Sequence, residues 1–312
     1  MSQLLSIREL MPEVESLTQT WHPRLARSFR RYVSVKWPRM GRTRTVRLIA
    51  EPHWLLVPQW LLQRFGQLGR SDRRFLLDIL HGQFCAFLAV KLQDDLFDQH
   101  VSDLSLICAA NHLLLSAREA FAPHFSEGSV LWPFFDASLR KTMNAIIDWD
   151  HAQLHGFGPV SSVKAMTSGG YAVCNLATFA ACLRLNKPRL FHALLPCTDE
   201  IAFVGQLLDD LEDMQSDFDR GRLNYAARFL LKRPVSNSPD LVHRLARAII
   251  VDGRLSEFLS LLAKHLHRAA GVASSIDLPG LPEYIARHRE ALGSISTRHH
   301  QMRVRFLFGT LK

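Results

Sequence analysis

The sequence predicts an all-α fold, on three observations. Apolar residues recur at helical spacing over long stretches, sustained period-two alternation is missing, and two stretches are apolar on nearly every side. The spacing predicts helices at about 3–18, 54–68, 72–98, 103–120, 133–155, 162–185, 188–217, 221–232, 239–250, 253–271 and 281–307. Glycine and proline punctuate the intervals, as in Gly156-Phe157-Gly158-Pro159 and Pro279-Gly280.

The two all-round apolar stretches are Phe75 to Leu92 and Ile201 to Leu211. A helix without a polar face belongs at the centre of a large bundle. The chain has 312 residues, 47% hydrophobic and 21% charged, enough for one sizeable core. No linker interrupts it, so a single domain over 1–312 is expected, with 1–50 as a basic N-terminal segment.

Composition excludes several classes. Five scattered cysteines (Cys85, Cys108, Cys174, Cys182 and Cys197) form no Cys-x-x-Cys and are odd in number. They read as buried thiols of a cytoplasmic protein, not as a disulfide framework or zinc site. The N-terminus carries Glu9, Glu13 and Glu15 and lacks the order of a signal peptide. Residues 165–183 hold no formal charge, but Thr167, Ser168, Gly169, Gly170, Asn175 and Thr178 make a buried helix the better reading than a membrane span. The net charge is +9, and no acidic residue lies between Glu15 and Glu51. That interval, with Arg24, Arg27, Arg30, Arg31, Lys36, Arg39, Arg42, Arg44 and Arg47, reads first as a solvated basic arm. Attraction to an anionic substrate, an acidic membrane or nucleic acid stays open.

Both central stretches run into carboxylates. The first ends in Asp94-Asp95-Leu96-Phe97-Asp98, where Asp94 and Asp98 share a helix face about 6 Å apart. The second continues as Asp209-Asp210-Leu211-Glu212-Asp213-Met214-Gln215-Ser216-Asp217, where Asp209, Asp213 and Asp217 form a stripe about 12 Å long. Like charges four apart destabilise a helix, more so near its C-terminus, where the macrodipole is negative. A compensating cation is expected. Hard oxygen ligands in this pattern suit magnesium, which also takes substrate phosphates.

These two clusters carry a family resemblance. Asp94 to Asp98 resembles the first aspartate-rich motif of trans-prenyl diphosphate synthases and class I terpene synthases. The second cluster is similar to two patterns. Asp209, Asp210 and Asp213, preceded by Gln206, resemble the second motif of prenyl diphosphate synthases. Asp209, Asp213 and Asp217 have the spacing of the terpene synthase metal triad, although all three are Asp here. Arg220-Gly221-Arg222-Leu223-Asn224-Tyr225 is similar to the segment that follows an aspartate motif in squalene and phytoene synthases. The resemblance spans about residues 70–230.

It implies a single helical bundle of the isoprenoid synthase type with a central apolar cavity. It further implies roles for individual residues. Asp94, Asp98, Asp209, Asp210, Asp213 and Asp217 would hold magnesium, three ions with diphosphate, and Asp95 would serve the same catalytic site. Lys164, Arg220, Arg222, Asn224 and Tyr225 would contact the diphosphate. Gly169-Gly170 is expected as a helix break, and Phe84, Phe87, Ala89, Val90, Trp149, Tyr171 and Phe179, with Gly169, as pocket residues. Asp148, Asp150, His151 and His155 read as a polar helix face.

Chain elongation in this family needs a second diphosphate site. The residues after Asp98 (Gln99-His100-Val101-Ser102-Asp103) hold no arginine, and Gly41-Arg42-Thr43-Arg44 is a faint match to the upstream segment. The first expectation is therefore a magnesium-dependent terpene synthase acting on a C15 or C20 allylic diphosphate. A trans-prenyl diphosphate synthase, a head-to-head synthase and a basic helical binding module are the alternatives. No nucleic acid partner is expected; peripheral membrane contact and a homodimer stay open.

Overall fold

The computed structural model describes residues 4–40, 52–66, 70–232 and 240–308. Among them the chain forms α-helices joined by short 3-10 turns, with no strand. The helices are α1 (Ile7–Leu17), α2 (Pro23–Met40), α3 (His53–Phe65), α4 (Arg70–Phe97), α5 (Leu106–Phe121), α6 (Leu131–His155) and α7 (Val160–Gly170). They continue as α8 (Leu176–Arg184), α9 (Pro188–Asp219), α10 (Tyr225–Leu231), α11 (Leu241–Ile250), α12 (Arg254–Ala273) and α13 (Gly280–Phe308). The all-α expectation holds.

Packing divides the chain into two compact units. The first comprises residues 1–147, 169–195 and 278–280; the second comprises 148–168, 196–277 and 281–312.

In the first unit α4 is the central helix. It packs against α1, α3, α5 and α8. Phe75, Ile79, Leu80, Phe84, Leu88 and Leu92 lie fully inside, which explains why this stretch shows no polar face. By length and composition the span Asp72–Phe97 could cross a membrane, yet 67% of its apolar window is buried inside the protein, as for a core helix. Gly82 lets α5 approach: a Cβ there would meet the Phe121 ring at 2.7 Å and the Ala117 carbonyl oxygen at 3.0 Å.

The basic arm is more than a solvated segment. Residues 23–40 form α2, whose Leu25, Ala26, Phe29 and Tyr32 are buried while Arg24, Arg27, Arg30 and Arg31 stay outside. The apolar stripe at positions 25, 29 and 32 was the helical signal within the charge run. Gly41-Arg42-Thr43-Arg44 lies outside the described residues.

The uncharged stretch 165–183 is not one helix. It breaks after Gly170 into a 3-10 turn, Ala172–Asn175, and restarts as α8. The paired glycines do mark a break. Thr142 joins the two sides: its hydroxyl donates to the Gly169 carbonyl at 3.1 Å and accepts from the Val173 amide at 3.1 Å.

The second unit closes around Val163, Phe203, Val204, Leu207, Leu223, Tyr225, Phe258, Leu262 and Leu266. Here α10, α11 and α12 pack on one another. The middle of α9, all-round apolar in sequence, supplies Phe203, Val204 and Leu207 to this core.

Two aspartate clusters and their supports

Each cluster ends its helix in the same way. At the end of α4, Gln99 takes a left-handed φ of 55°, and its amide bonds the Leu96 carbonyl at 3.2 Å while His100 N bonds the Asp95 carbonyl at 2.8 Å. At the end of α9, Gly221 takes φ 74°, its amide bonds Phe218 O at 2.9 Å, and Arg222 N bonds Asp217 O at 2.9 Å. Both are Schellman caps, which satisfy carbonyls left over at a helix end. Asp94, Asp95 and Asp217 therefore stand in the last turn of their helices, where the macrodipole opposes them, whereas Asp209, Asp210 and Asp213 lie earlier in α9.

In the first cluster Asp95 is fully buried and heavily bonded. Its Oδ2 accepts from the Tyr32 hydroxyl at 2.9 Å, and its Oδ1 meets His100 Nδ1 at 3.2 Å and Lys91 Nζ at 3.1 Å. Lys91 also donates to Asp94 Oδ2 at 2.7 Å. Burial alone would lower the Lys91 pKa, but Asp94 and Asp95 reverse this and hold it well above the ordinary lysine value. Burial, and then the Asp95 charge, push Tyr32 above the ordinary tyrosine range. Asp94 and Asp98 are half-buried at the surface of the unit.

In the second cluster the five acids differ sharply. Asp209, Glu212 and Asp213 are exposed, whereas Asp210 and Asp217 are buried. Asp210 accepts from Tyr225 N at 3.0 Å and from Gln206 Nε2 at 3.0 Å. Asp217 Oδ2 accepts from Asn224 Nδ2 at 2.8 Å, and Arg220 lies 3.7 Å from its Oδ1. Burial pushes Asp210 up to about 8, with Asp217 and Asp209 adding to the rise. Burial and the charges of Asp209 and Asp213 push Glu212 up to about 7. The cluster concentrates more negative charge than its own cations offset.

The residues expected on the diphosphate are mostly engaged in building the fold. Arg222 is buried, and its guanidinium donates to Asp150 Oδ1 and Gln153 Oε1, both at 2.8 Å. This pairing also explains Asp150 on the polar face of α6. Asn224 is the N-cap of α10: its side chain accepts from Ala227 N at 3.0 Å and donates to Asp210 O at 2.6 Å. Tyr225 lies buried edge-on to Phe157, and burial and Asp210 raise its pKa. Lys164 Nζ donates to Glu200 Oε1 at 2.6 Å, and Glu200 is also held by His265 of α12. Arg220 is exposed.

The expected pocket side chains join several separate ring contacts. In the first unit, Phe87 packs at 4.9 Å and Phe84 at 6.5 Å from Trp54. Phe179 sits 4.1 Å from Phe134, and Tyr171 stacks on His53. Ala89 and Val90 are buried on α4, and a Cβ on Gly169 would meet Ala145 at 2.8 Å. In the second unit Trp149 packs on Phe157. His151 and His155 are exposed on α6 with rings 4.4 Å apart.

The sequence pattern missed Tyr32, Lys91, His100 and Glu200. Lys91 and His100 flank the first cluster within one turn and were visible as charge neighbours. Tyr32 and Glu200 carry no local signal, since their partners lie 63 and 65 residues away.

Among the described residues no three His, Cys, Asp or Glu side chains converge closely enough to hold a metal. Magnesium needs no such cage, because it binds through one or two carboxylates with waters and substrate phosphates. Asp94 with Asp98, and Asp209 with Asp213, offer hard oxygen donors four residues apart, and the raised Glu212 marks a site where added positive charge would relieve repulsion. The donor set fits magnesium on these grounds. Asp210 and Asp217 fit it less well, since backbone and side-chain donors already occupy them.

No family model matches the sequence, and no curated protein matches it significantly. Among solved structures the chain is similar to a decaprenyl diphosphate synthase from Rhodobacter capsulatus, at 15% identity and a TM-score of 0.65, over 93% of this chain and 94% of that one. With its helices throughout and no strand among the described residues, the chain has the all-helical fold of the isoprenoid synthase type.

Proposed function

We propose that this chain is a magnesium-dependent enzyme that ionises an allylic prenyl diphosphate. The observation that carries the reading is the pair of aspartate clusters, each following a buried, apolar stretch of helix. Like charges four apart are unfavourable without a cation, and Lys91 and Arg220 offset them in part. Asp94, Asp98, Asp209 and Asp213 are the carboxylates that would hold magnesium. When bound, the metal would stabilise the departing diphosphate electrostatically. The chain's own part is to hold these carboxylates in place: Asp95 and Asp217 anchor the helix ends, and the apolar helices behind them exclude water.

The first reading of the product stage is a terpene synthase, because the segment after Asp98 holds no arginine for a second diphosphate. Chain elongation is the second reading. It is favoured by the similar solved structure, a decaprenyl diphosphate synthase, and by the Gln206–Asp210 bond within the second cluster.

One experiment separates them. The protein is incubated with magnesium and geranyl, farnesyl or geranylgeranyl diphosphate, with and without isopentenyl diphosphate. A hydrocarbon or alcohol from the allylic diphosphate alone supports the synthase of terpenes. A longer linear diphosphate that appears only with isopentenyl diphosphate supports elongation. No release of diphosphate in any arm removes both.

A further inference from the structure

The second unit leaves few large hydrophobic side chains exposed among the described residues: Leu154, Val242, Val251, Met302, Val304 and Phe306. All but Leu154 lie on α11, its C-cap or the last turns of α13. On α13, Met302 and Phe306 share one face while Val304 lies on the opposite one, and an exposed apolar face of this kind marks an interaction surface.

The two helices are tied together there. His299 Nε2 donates to the Ile249 carbonyl at 3.0 Å, and Arg303 donates to the carbonyls of Ile250 at 2.7 Å and Val251 at 3.0 Å. Earlier in α13 the face carrying Ala291, Leu292 and His299 is buried against the unit. Met302 and Phe306 prolong that side of the helix but stand 48% and 53% exposed.

Charge decides the partner. Arg298, Met302, Arg305 and Phe306 are spaced i, i+4, i+7 and i+8, which places them on one face of α13. No acidic residue follows Glu290 in the sequence, whereas Arg298, Arg303, Arg305 and Lys312 do. Exposed Arg244 and Arg247 lie on α11, with Asp252 paired to Arg247 at 3.7 Å. A second copy docking symmetrically would set these arginines against themselves. Nucleic acid would accept the arginines but gain nothing from methionine, valine and phenylalanine. A bilayer with anionic headgroups accepts both: arginines at the phosphates, apolar side chains at the acyl boundary.

We propose that α11 and the last turns of α13 form a docking face for an anionic lipid surface. The surface is independent of whether the aspartate clusters bind magnesium, so its test needs no substrate.

The full chain is sedimented with vesicles of phosphatidylcholine alone and with vesicles that also contain phosphatidylglycerol. Binding to the anionic vesicles only, weakened by salt, is expected. Arg298→Gln and Arg305→Gln should each lower the partition coefficient about fivefold. Met302→Ser should lower binding strongly, while the melting temperature stays near that of the parent because this side chain is exposed. Equal binding to neutral vesicles, no binding to either, or anionic binding that all these variants retain would overturn the proposal. So would a concentration-dependent dimer that Met302→Ser dissolves.

Discussion

Asp95 and Asp217 occupy the same place in their two helices. Each is the residue whose carbonyl accepts the long bond of the helix-ending cap, from His100 N and Arg222 N respectively. Each carboxylate is buried, and each is held by a neutral donor from outside its helix, Tyr32 for Asp95 and Asn224 for Asp217. Within each cluster one buried aspartate thus serves as the anchor, while Asp94 and Asp98, and Asp209 and Asp213, stand nearer the surface.

Removing either anchor bond should cost stability. Tyr32→Phe leaves a buried carboxylate short of one donor, and Asn224→Ala also removes an N-cap. Each should lower the unfolding free energy by about 1–3 kcal/mol. Urea denaturation measures this; an unchanged midpoint in both variants would show that the carboxylates find other donors.

The outer aspartates should behave in the opposite way. Asp94→Ala and Asp98→Ala are expected to keep the fold and remove turnover, because neither side chain is in the core. Circular dichroism with a diphosphate-release assay checks this, and near-normal turnover in both variants would sink the assignment.

Arg222 separates a structural from a catalytic role. Its buried guanidinium joins Asp150 and Gln153, so Arg222→Ala should destabilise the protein by about 3 kcal/mol through the uncompensated partners it leaves. An activity loss with the melting temperature unchanged would instead return Arg222 to the diphosphate.

Magnesium with inorganic diphosphate should raise the melting temperature, since a ligand bound only by the native state stabilises it. Asp213→Asn should reduce that shift while leaving the metal-free melting temperature unchanged or higher, because it relieves like-charge repulsion at Glu212. A shift identical to the parent's would count against the second cluster as a metal site.

Acidification should act through His288. Burial, opposed by its bond to the Tyr284 carbonyl, holds its pKa below the ordinary 6.5. The unfolded chain therefore takes up the proton first, and the contribution of this histidine is present above 6.5 and lost as the pH falls through the native value. His288→Phe should flatten the fall in melting temperature as the pH drops below 6.5. A fall as steep as the parent's would place the acid sensitivity elsewhere.

The sequence made legible the helical class and the two central helices, and its paired glycines a break at Gly169-Gly170 that periodicity, running one helix over 162–185, did not show. All of these follow from local rules: apolar periodicity, the absence of a polar face, and paired glycines. It also exposed both aspartate clusters, because carboxylates four apart at the end of an apolar run are a contradiction that local physics registers. It underrated α2, where charge density hid a stripe of Leu25, Phe29 and Tyr32. The tertiary structure alone decided which acids in each cluster are available. Asp94 and Asp95 are adjacent and chemically identical, yet burial and Tyr32 make one an anchor, while the other meets Lys91 at the surface. Arg222 reads as a ligand residue in sequence and is a buried strut in the fold, because Asp150 and Gln153 come to it from 72 and 69 residues away. Spacing along a helix fixes which side chains share a face; only packing fixes what that face meets.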